Sequence, residues 1–286
     1  NQAGALGALR EPDYGRALVL APDTTGLSDM GSAQLRYRMS VVKSLTPGAE
    51  ESQLSVVTRK QGGWAENVRH DLETEGERGL GELYHSYYAD YFDAIIASAQ
   101  PEFAEGPAGS MLITEHYRIP ELWMSDEHVS KYRWVYADEI MSYLDLPETS
   151  NGRQQPYELI HPIDIEERWD VAMSEPLRME DLNAEVENEW FSFTKESSLD
   201  EAGELLSVTF RYRTRVNEVA AAHLADYSAA VEEVQELASF YIEDKPSMGA
   251  AVKEVGVEIA QAGSVHPVFL LLGLLSVFRR RTVLQS

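Results

Sequence analysis

Apolar and polar side chains alternate along several stretches of the chain, most clearly in LLSVTFRYRTRV at 205–216. Alternation gives a strand one buried face and one wet face, which is typical of antiparallel sheets. Four such segments are therefore predicted to be strands. Their apolar phases are Leu35, Tyr37, Met39 and Val41; Leu54 and Val56; Met111, Ile113, Tyr117 and Ile119; and Leu206, Val208, Phe210, Tyr212 and Val216.

Two segments have a helical period instead. The first runs from about 64 to 96, and the glycines at 76, 79 and 81 predict that it splits into two helices. The second runs from about 221 to 242 and is rich in alanine and glutamate. The apolar stripe of the first segment is Leu80, Leu83, Tyr84, Tyr87, Tyr91 and Ile95.

Together these elements predict an α+β fold that is mostly β, with antiparallel β-sandwiches and helices inserted near 64–96 and 221–242. The turn-rich Asn-Gly-Arg stretch at 151–153 is the predicted internal boundary. We expect a β-rich domain with a helical insertion over 1–150, a second β-rich part ending in a helix over 151–245, and a tail over 246–286.

Charge alternation suggests one specific strand pairing. Three glutamates in EVENEWFSF and three arginines in the 205–216 strand occupy alternate positions. One hairpin register would also place Val186 and Trp190 on the apolar face, and exposed pairs of this kind set register more than stability. The predicted pairs are Glu185 with Arg215, Glu187 with Arg213, and Glu189 with Arg211.

The chain carries 48 acidic and 24 basic residues, a net charge of -24, and 44% hydrophobic residues. This composition is that of a folded protein and argues against a nucleic-acid partner, which would need a basic surface. Solubility is the simplest explanation of the acidity, and a cationic substrate or a saline habitat are alternatives. The absence of cysteine excludes disulfides, thiolate zinc sites and thiol nucleophiles within this chain.

The tail contains an apolar run at 268–278 followed by three arginines at 279–281. The run is shorter than the roughly 20 residues that span a bilayer, although a closing arginine cluster is typical of a membrane stop. It loosely resembles bacterial C-terminal sorting tails. Two interpretations stay open: membrane contact through 268–281, or a terminal strand or helix docked on the core.

Motif searches reveal no catalytic or metal site. The seven histidines form no H-E-x-x-H pattern, and the single E-x-x-H pair, Glu82 with His85, is interpreted as a helix-surface pair. His116 is expected on a wet strand face. No spacing singles out the neighbouring carboxylates at 138–139 or 166–167, so no acid–base role follows. We expect no catalytic residue, metal or cofactor.

Aromatic side chains are the remaining candidates for binding. Most of the five tryptophans are expected in the core. Trp123 follows a predicted strand and is the best candidate for an exposed aromatic, with Tyr88 and Trp64 as further candidate binding residues. Such side chains could stack on a cell-surface glycan or protein.

The opening stretch QAGALGALREPDYGRALVLAP resembles the sequence just downstream of the catalytic core in large exported bacterial transglutaminase-like proteins. Further similar segments are GGWAENVRHDLE, ITEHYRIPELW, SYLDLPETSNGRQQPYELIHPI and LSVTFRYRTRVNEV, so the resemblance covers about residues 1–242. The matching positions are Gln2, Gly4, Gly15, Ala17 to Leu20, Gly62 or Gly63, Ala65, Arg69, Thr114, Glu115, Tyr117, Ile119, Pro120, Trp123, Leu144, Pro147, Arg153, Pro156 and Pro162.

The resemblance implies a Cys-His-Asp core that precedes Asn1, in which an imidazole activates the thiol. No catalytic residue is carried over to this chain. The implied role is a noncatalytic accessory region, exported to the periplasm or cell surface, that positions or shields the core. An exposed apolar face left by Leu6, Leu9, Leu18 and Leu20 would favour this role.

Two alternatives remain open at this point. The chain could be a stand-alone module that binds a cell-surface glycan or protein, which a concave patch of exposed aromatics would favour. A hydrolase that uses only carboxylates is the third hypothesis, and turnover by this chain alone would support it.

Overall fold

The computed structural model describes residues 16–18, 20, 25–29, 37–125, 131–147, 153–173, 178–179, 182–243 and 251–253. Leu6, Leu9, the turn at 151–152 and the apolar tail at 268–281 lie outside the described residues. The fold is α+β and mostly β.

The strands are numbered here in chain order. They are β1 Arg16–Ala17, β2 Ser28–Asp29, β3 Tyr37–Thr46, β4 Ser52–Gly62, β5 Ile96–Ala97, β6 Glu102–Glu105, β7 Met111–Ile119, β8 Tyr132–Tyr136, β9 Tyr157–Glu158, β10 Ile163–Ala172, β11 Arg178–Met179, β12 Ala184–Glu187, β13 Phe191–Leu199, β14 Leu205–Thr214, β15 Glu218–Val219, β16 Ser239–Glu243 and β17 Ala251–Lys253.

Nine strands form one large sheet in the order β12-β13-β14-β10-β3-β4-β7-β5, with β6 also paired to β7. Most neighbours are antiparallel, as alternation predicts, but β3 and β10 run parallel and place Lys43 opposite Trp169. This pairing joins the two parts predicted at 1–150 and 151–245 within one sheet, and a single large buried cluster spans both.

One face of the large sheet carries the core. The predicted apolar phases of β3, β4, β7 and β14 are buried, with Tyr37 and Val216 half-buried and Leu35 outside the described residues. A second sheet, β11-β17-β16-β8, covers part of this face. The Phe210 and Phe240 ring centroids lie 6.3 Å apart, and the Trp169 indole nitrogen donates to the Tyr136 carbonyl at 2.9 Å.

The helices of the described region cover the rest of that face. They are α1 Gly63–Thr74, α2 Gly76–Ala89, the single turn α3 Asp138–Met141 and α4 Leu224–Leu237, with 3-10 turns at Pro107–Gly109 and Ala221–His223. The predicted split is confirmed: Gly76 adopts a φ of 72°, which favours glycine and ends α1. In the predicted stripe, Leu80 is buried but Leu83 is exposed.

The second predicted helix is too long. Helix α4 ends at Leu237, and Ser239–Glu243 form strand β16, every residue of which is buried. Alanines and glutamates favour a helix only up to that point. The apolar run SFYI is buried on all sides between β8, β17 and the large sheet, so it forms a central strand.

The predicted pairing of 185–189 with 211–215 is wrong. The side chain of Asn188 accepts the backbone N–H groups of Trp190 and Phe191, which makes a turn after β12. Strand β13 therefore lies between β12 and β14, with Ser192 opposite Arg213. The arginines find other partners: Arg211 contacts Glu166 and Glu196, Arg213 contacts Asp164, and Arg215 contacts Glu187.

Candidate functional site

Charged side chains occupy the apolar phase of four strands in the large sheet. Lys43 follows Met39 and Val41 in β3, and Glu167 follows Ile163 and Ile165 in β10. A strand places residues i and i+2 on one face, so these charges face the core. The four side chains are Lys43, Glu115, Glu167 and Lys195, each 5% exposed or less.

Lys43 and Glu167 lie at the centre of a cluster that also includes Asp138 and Tyr87. The Lys43 ammonium donates to Glu167 Oε1 at 2.7 Å and also contacts Asp138 Oδ1. Tyr87 donates its hydroxyl to Asp138 Oδ2 at 2.7 Å. Strands β3 and β10 and helices α2 and α3 thus meet at this buried cluster.

The second oxygen of Glu167 fixes helix α3. Glu167 Oε2 accepts the backbone N–H groups of Glu139 and Ile140, at 3.1 and 3.3 Å. These are first-turn N–H groups, which have no partner within a helix. The turn therefore holds Asp138 against the lysine, while Glu167 satisfies the backbone that carries it.

Burial and charge act in opposite directions on Lys43. Burial disfavours the ammonium, but the carboxylates of Asp138 and Glu167 outweigh it, so the pKa of Lys43 lies above its ordinary value. Burial raises the pKa of Glu167 well above its ordinary value; Lys43 opposes this rise and Asp138 reinforces it. The cluster has two carboxyl groups for one amine, and burial favours the protonated form of Glu167.

Aromatic side chains enclose the amine. Lys43 Nζ lies 5.1 Å from the Trp169 ring centroid and 5.6 Å from that of Tyr88. A neighbouring cavity lined by Tyr88, Asp138 and Trp169 has a volume of about 10 Å³. That space suffices for about one water molecule and excludes an organic substrate.

The other two buried charges have separate partners. Glu115 accepts the Tyr117 hydroxyl at 2.5 Å, and burial raises the pKa of Glu115 to about 7. Lys195 donates to the Ser239 carbonyl at 2.9 Å, which links β13 to β16. Neither of these two hydrogen bonds joins an amine to a carboxylate.

The opposite face of the large sheet is polar and forms a groove of about 350 Å³ across β3, β4 and β7. Its lining includes hydroxyl, amide, imidazole and guanidinium groups that can donate and accept hydrogen bonds. His116 is exposed here, as predicted. The outward-pointing lining residues are Ser44, Thr46, Gln53, Ser55, His116 and Arg118.

The predicted binding aromatics do not form a patch. Trp64 and Tyr88 are 7% and 3% exposed and belong to the core, because helices α1 and α2 lay them on the sheet. Neither can stack on an external ligand, so these two assignments are wrong. Trp123 is half-buried against the same core.

Sequence reasoning missed the cluster because the 138–139 and 166–167 carboxylates have no distinctive spacing. A usable signal was present: a lysine or glutamate in phase with buried apolar residues of a strand. Glu82 does lie on the helix surface, where it pairs with Arg78, and His85 Nε2 lies 3.1 Å from the Ile95 carbonyl.

Among the residues that the structure describes, no group of three or more His, Asp or Glu side chains could hold a metal ion. No helix in the described ranges is both long and apolar enough to cross a membrane. No family model matches the chain, and neither a curated protein nor a solved structure matches it.

Proposed function

We propose that this chain is a noncatalytic accessory module of a longer transglutaminase-like protein, exported to the periplasm or cell surface, in which it positions or shields a preceding Cys-His-Asp core. The observation that carries the proposal is the enclosure of the main charged cluster. Lys43 and Glu167 are fully buried and Asp138 is 3% exposed. Groups sealed in this way act on the protein's own fold and not on a substrate.

Two exposed leucines support contact with a preceding domain. Leu18 and Leu20 are 57% and 92% exposed. Large apolar side chains near one another on a surface are typical of an interface with another domain. They belong to the segment whose sequence resembles the region just after a transglutaminase-like core.

The first test is the reading frame upstream of the codon for Asn1. The proposal expects codons for a Cys, a His and then an Asp that precedes Asn1 closely. A start codon and signal peptide directly upstream, without such a core, would contradict it, as would turnover of an acyl-transfer or peptide substrate by residues 1–286 alone.

The second test uses the longer protein. Leu18→Asp combined with Leu20→Asp is expected to lower the activity of the core or to separate its thermal unfolding from that of the module. Leu205→Asp, at an exposed leucine at the start of β14, is the matched control and should change neither. Equal effects of the two changes would contradict a specific interface at the leucines.

A second candidate function is binding of a cell-surface glycan or protein, and the polar groove across β3, β4 and β7 is what favours it. His116→Ala with Arg118→Ala should abolish retention of the module on the matching surface polymer. Thr209→Ala, on the same sheet face outside the groove, should leave retention unchanged. Retention that survives the double change would remove this candidate.

A further inference from the structure

We propose that Lys43 and Asp138 become joined by an amide bond between their side chains, and that Glu167 transfers the protons of this reaction. The bond would link strand β3 to helix α3 across 95 positions of the sequence. This inference goes beyond the proposed function, since a module of any function could contain such a cross-link.

The cluster contains the groups that amide formation requires. The amine of Lys43 contacts Asp138 Oδ1, so it lies beside the carboxyl group that it would attack. Glu167 lies 2.7 Å from the amine and can accept its proton. The Tyr87 hydroxyl donates to Asp138 Oδ2 at 2.7 Å, where negative charge develops when the amine adds.

The carboxylates beside Lys43 raise its pKa and hold the amine as an ammonium, so the reaction first needs one proton transfer within the cluster. An ion pair without water is costly, and moving one proton from the ammonium to a carboxylate removes both charges without changing the net charge of the cluster. The pKa of Glu167 lies well above its ordinary value because of burial, so this carboxyl can carry the proton. The Trp169 and Tyr88 rings keep bulk water from the amine.

The reaction balances without an added reactant. The ammonium of Lys43 gives one proton to Glu167, and the neutral amine adds to Asp138 Cγ. Glu167 delivers that proton to the leaving oxygen of Asp138, and a second proton from the amine follows by the same route. The C–O bond breaks, one water molecule leaves, the amide retains one hydrogen, and Glu167 returns to its starting form.

The same core contains a comparison that should not react. Glu115 is a buried glutamate on the same face whose carboxyl accepts the Tyr117 hydroxyl. This residue separates the effect of burial from the effect of the Lys43 arrangement.

The test is the mass of the purified chain under denaturing conditions, followed by a peptide map. The expected result is a mass lower than that of the sequence by one water molecule, and a branched peptide that joins Lys43 to Asp138. The full sequence mass, or water loss without this branched peptide, would overturn the proposal. This measurement uses the unaltered protein, so it does not depend on a variant that folds.

Variants then test the role of each group. Glu167→Gln should slow bond formation by a factor on the order of 10², and Asp138→Ala should abolish it. Glu115→Gln is the matched control and should retain the complete mass loss. Bond formation in Glu167→Gln at the unaltered rate would overturn the role of Glu167, and cross-linking in Asp138→Ala would overturn the site.

Discussion

Lys43 and Glu167 form a buried ion pair between the two parallel strands of the large sheet, with Nζ and Oε1 2.7 Å apart and both side chains at 0% exposure. The pair lies where the first and second halves of the chain meet. Because Glu167 also holds the turn that carries Asp138, one cluster connects four elements of the fold.

Removal of the lysine charge alone should destabilise the fold severely. Lys43→Met would leave the two carboxyl groups of Asp138 and Glu167 buried without a cation. We expect it to be about 3 kcal/mol less stable than the triple variant Lys43→Met, Asp138→Asn, Glu167→Gln, since unpaired buried charge costs more than a fully neutral site. Urea unfolding at neutral pH measures the difference. Equal stability of the two variants would contradict a charged cluster.

The phenol of Tyr87 should contribute to stability through Asp138. Tyr87→Phe removes the hydrogen bond to Oδ2 and leaves a buried carboxyl oxygen without that donor, at an expected loss of about 1–3 kcal/mol in the free energy of unfolding. Tyr84→Phe, on the same helix, is the control and should change it by less than about 0.5 kcal/mol. Equal losses at the two tyrosines would remove the special role of Tyr87.

Glu115 should make the stability depend on pH. Burial raises its pKa from 4.5 to about 7 in the folded state, so the folded protein binds the proton more tightly than the unfolded chain. Its stabilising contribution is complete below pH 4.5 and is lost as the pH rises through 7.

The measurement for Glu115 is urea unfolding of the unaltered chain and of Glu115→Gln between pH 4.5 and 8. The stability of the unaltered chain should fall relative to the variant by up to about 3 kcal/mol across that range. The other charged groups that act on Glu115 are Lys43, Lys60 and Glu139. A constant difference between the two proteins would contradict the raised pKa of Glu115.

The cross-link should stabilise the fold beyond the ion pair. Joining residues 95 positions apart removes freedom from the unfolded chain, and the entropy model for closing a loop of that length gives about 4 to 5 kcal/mol. Freshly synthesised protein, before the bond forms, should therefore unfold at lower urea concentration than aged protein. Identical midpoints for samples that differ in cross-linked fraction would contradict this prediction.

Alternation predicted the large sheet well because one face of it is buried and the other is polar. Alternation fails to predict the turn at Asn188, which the Asn188 side chain stabilises by a hydrogen bond to the backbone. Because of this turn, β13 lies between the two segments that were predicted to pair. The sequence pattern also fails at 239–243, where burial on all sides outweighs local helix preference. The turn depends on local side-chain hydrogen bonds and the strand at 239–243 depends on pairing with distant segments, and periodicity reports neither.

The candidate site was hidden for a related reason. Asp138 and Glu167 are ordinary carboxylates in the sequence and become distinctive only when β3 and β10 pair in parallel. The lysine was the available signal, because a charge in the apolar phase of a strand needs a buried partner. The phase of Lys43 predicts that such a partner exists, but the fold is needed to identify Asp138 and Glu167.

The central claim is that the charged cluster is sealed from solvent and acts on the fold itself. The most direct test is amine modification of the folded chain with a water-soluble acylating reagent, followed by mapping of the modified lysines. We predict that exposed Lys131 is modified rapidly while Lys43 stays unmodified in the folded state, and that the cross-linked fraction of Lys43 stays unmodified after unfolding as well. Modification of Lys43 in the folded state at a rate similar to that of Lys131 would contradict the claim and would reopen this cluster as a site for an external substrate.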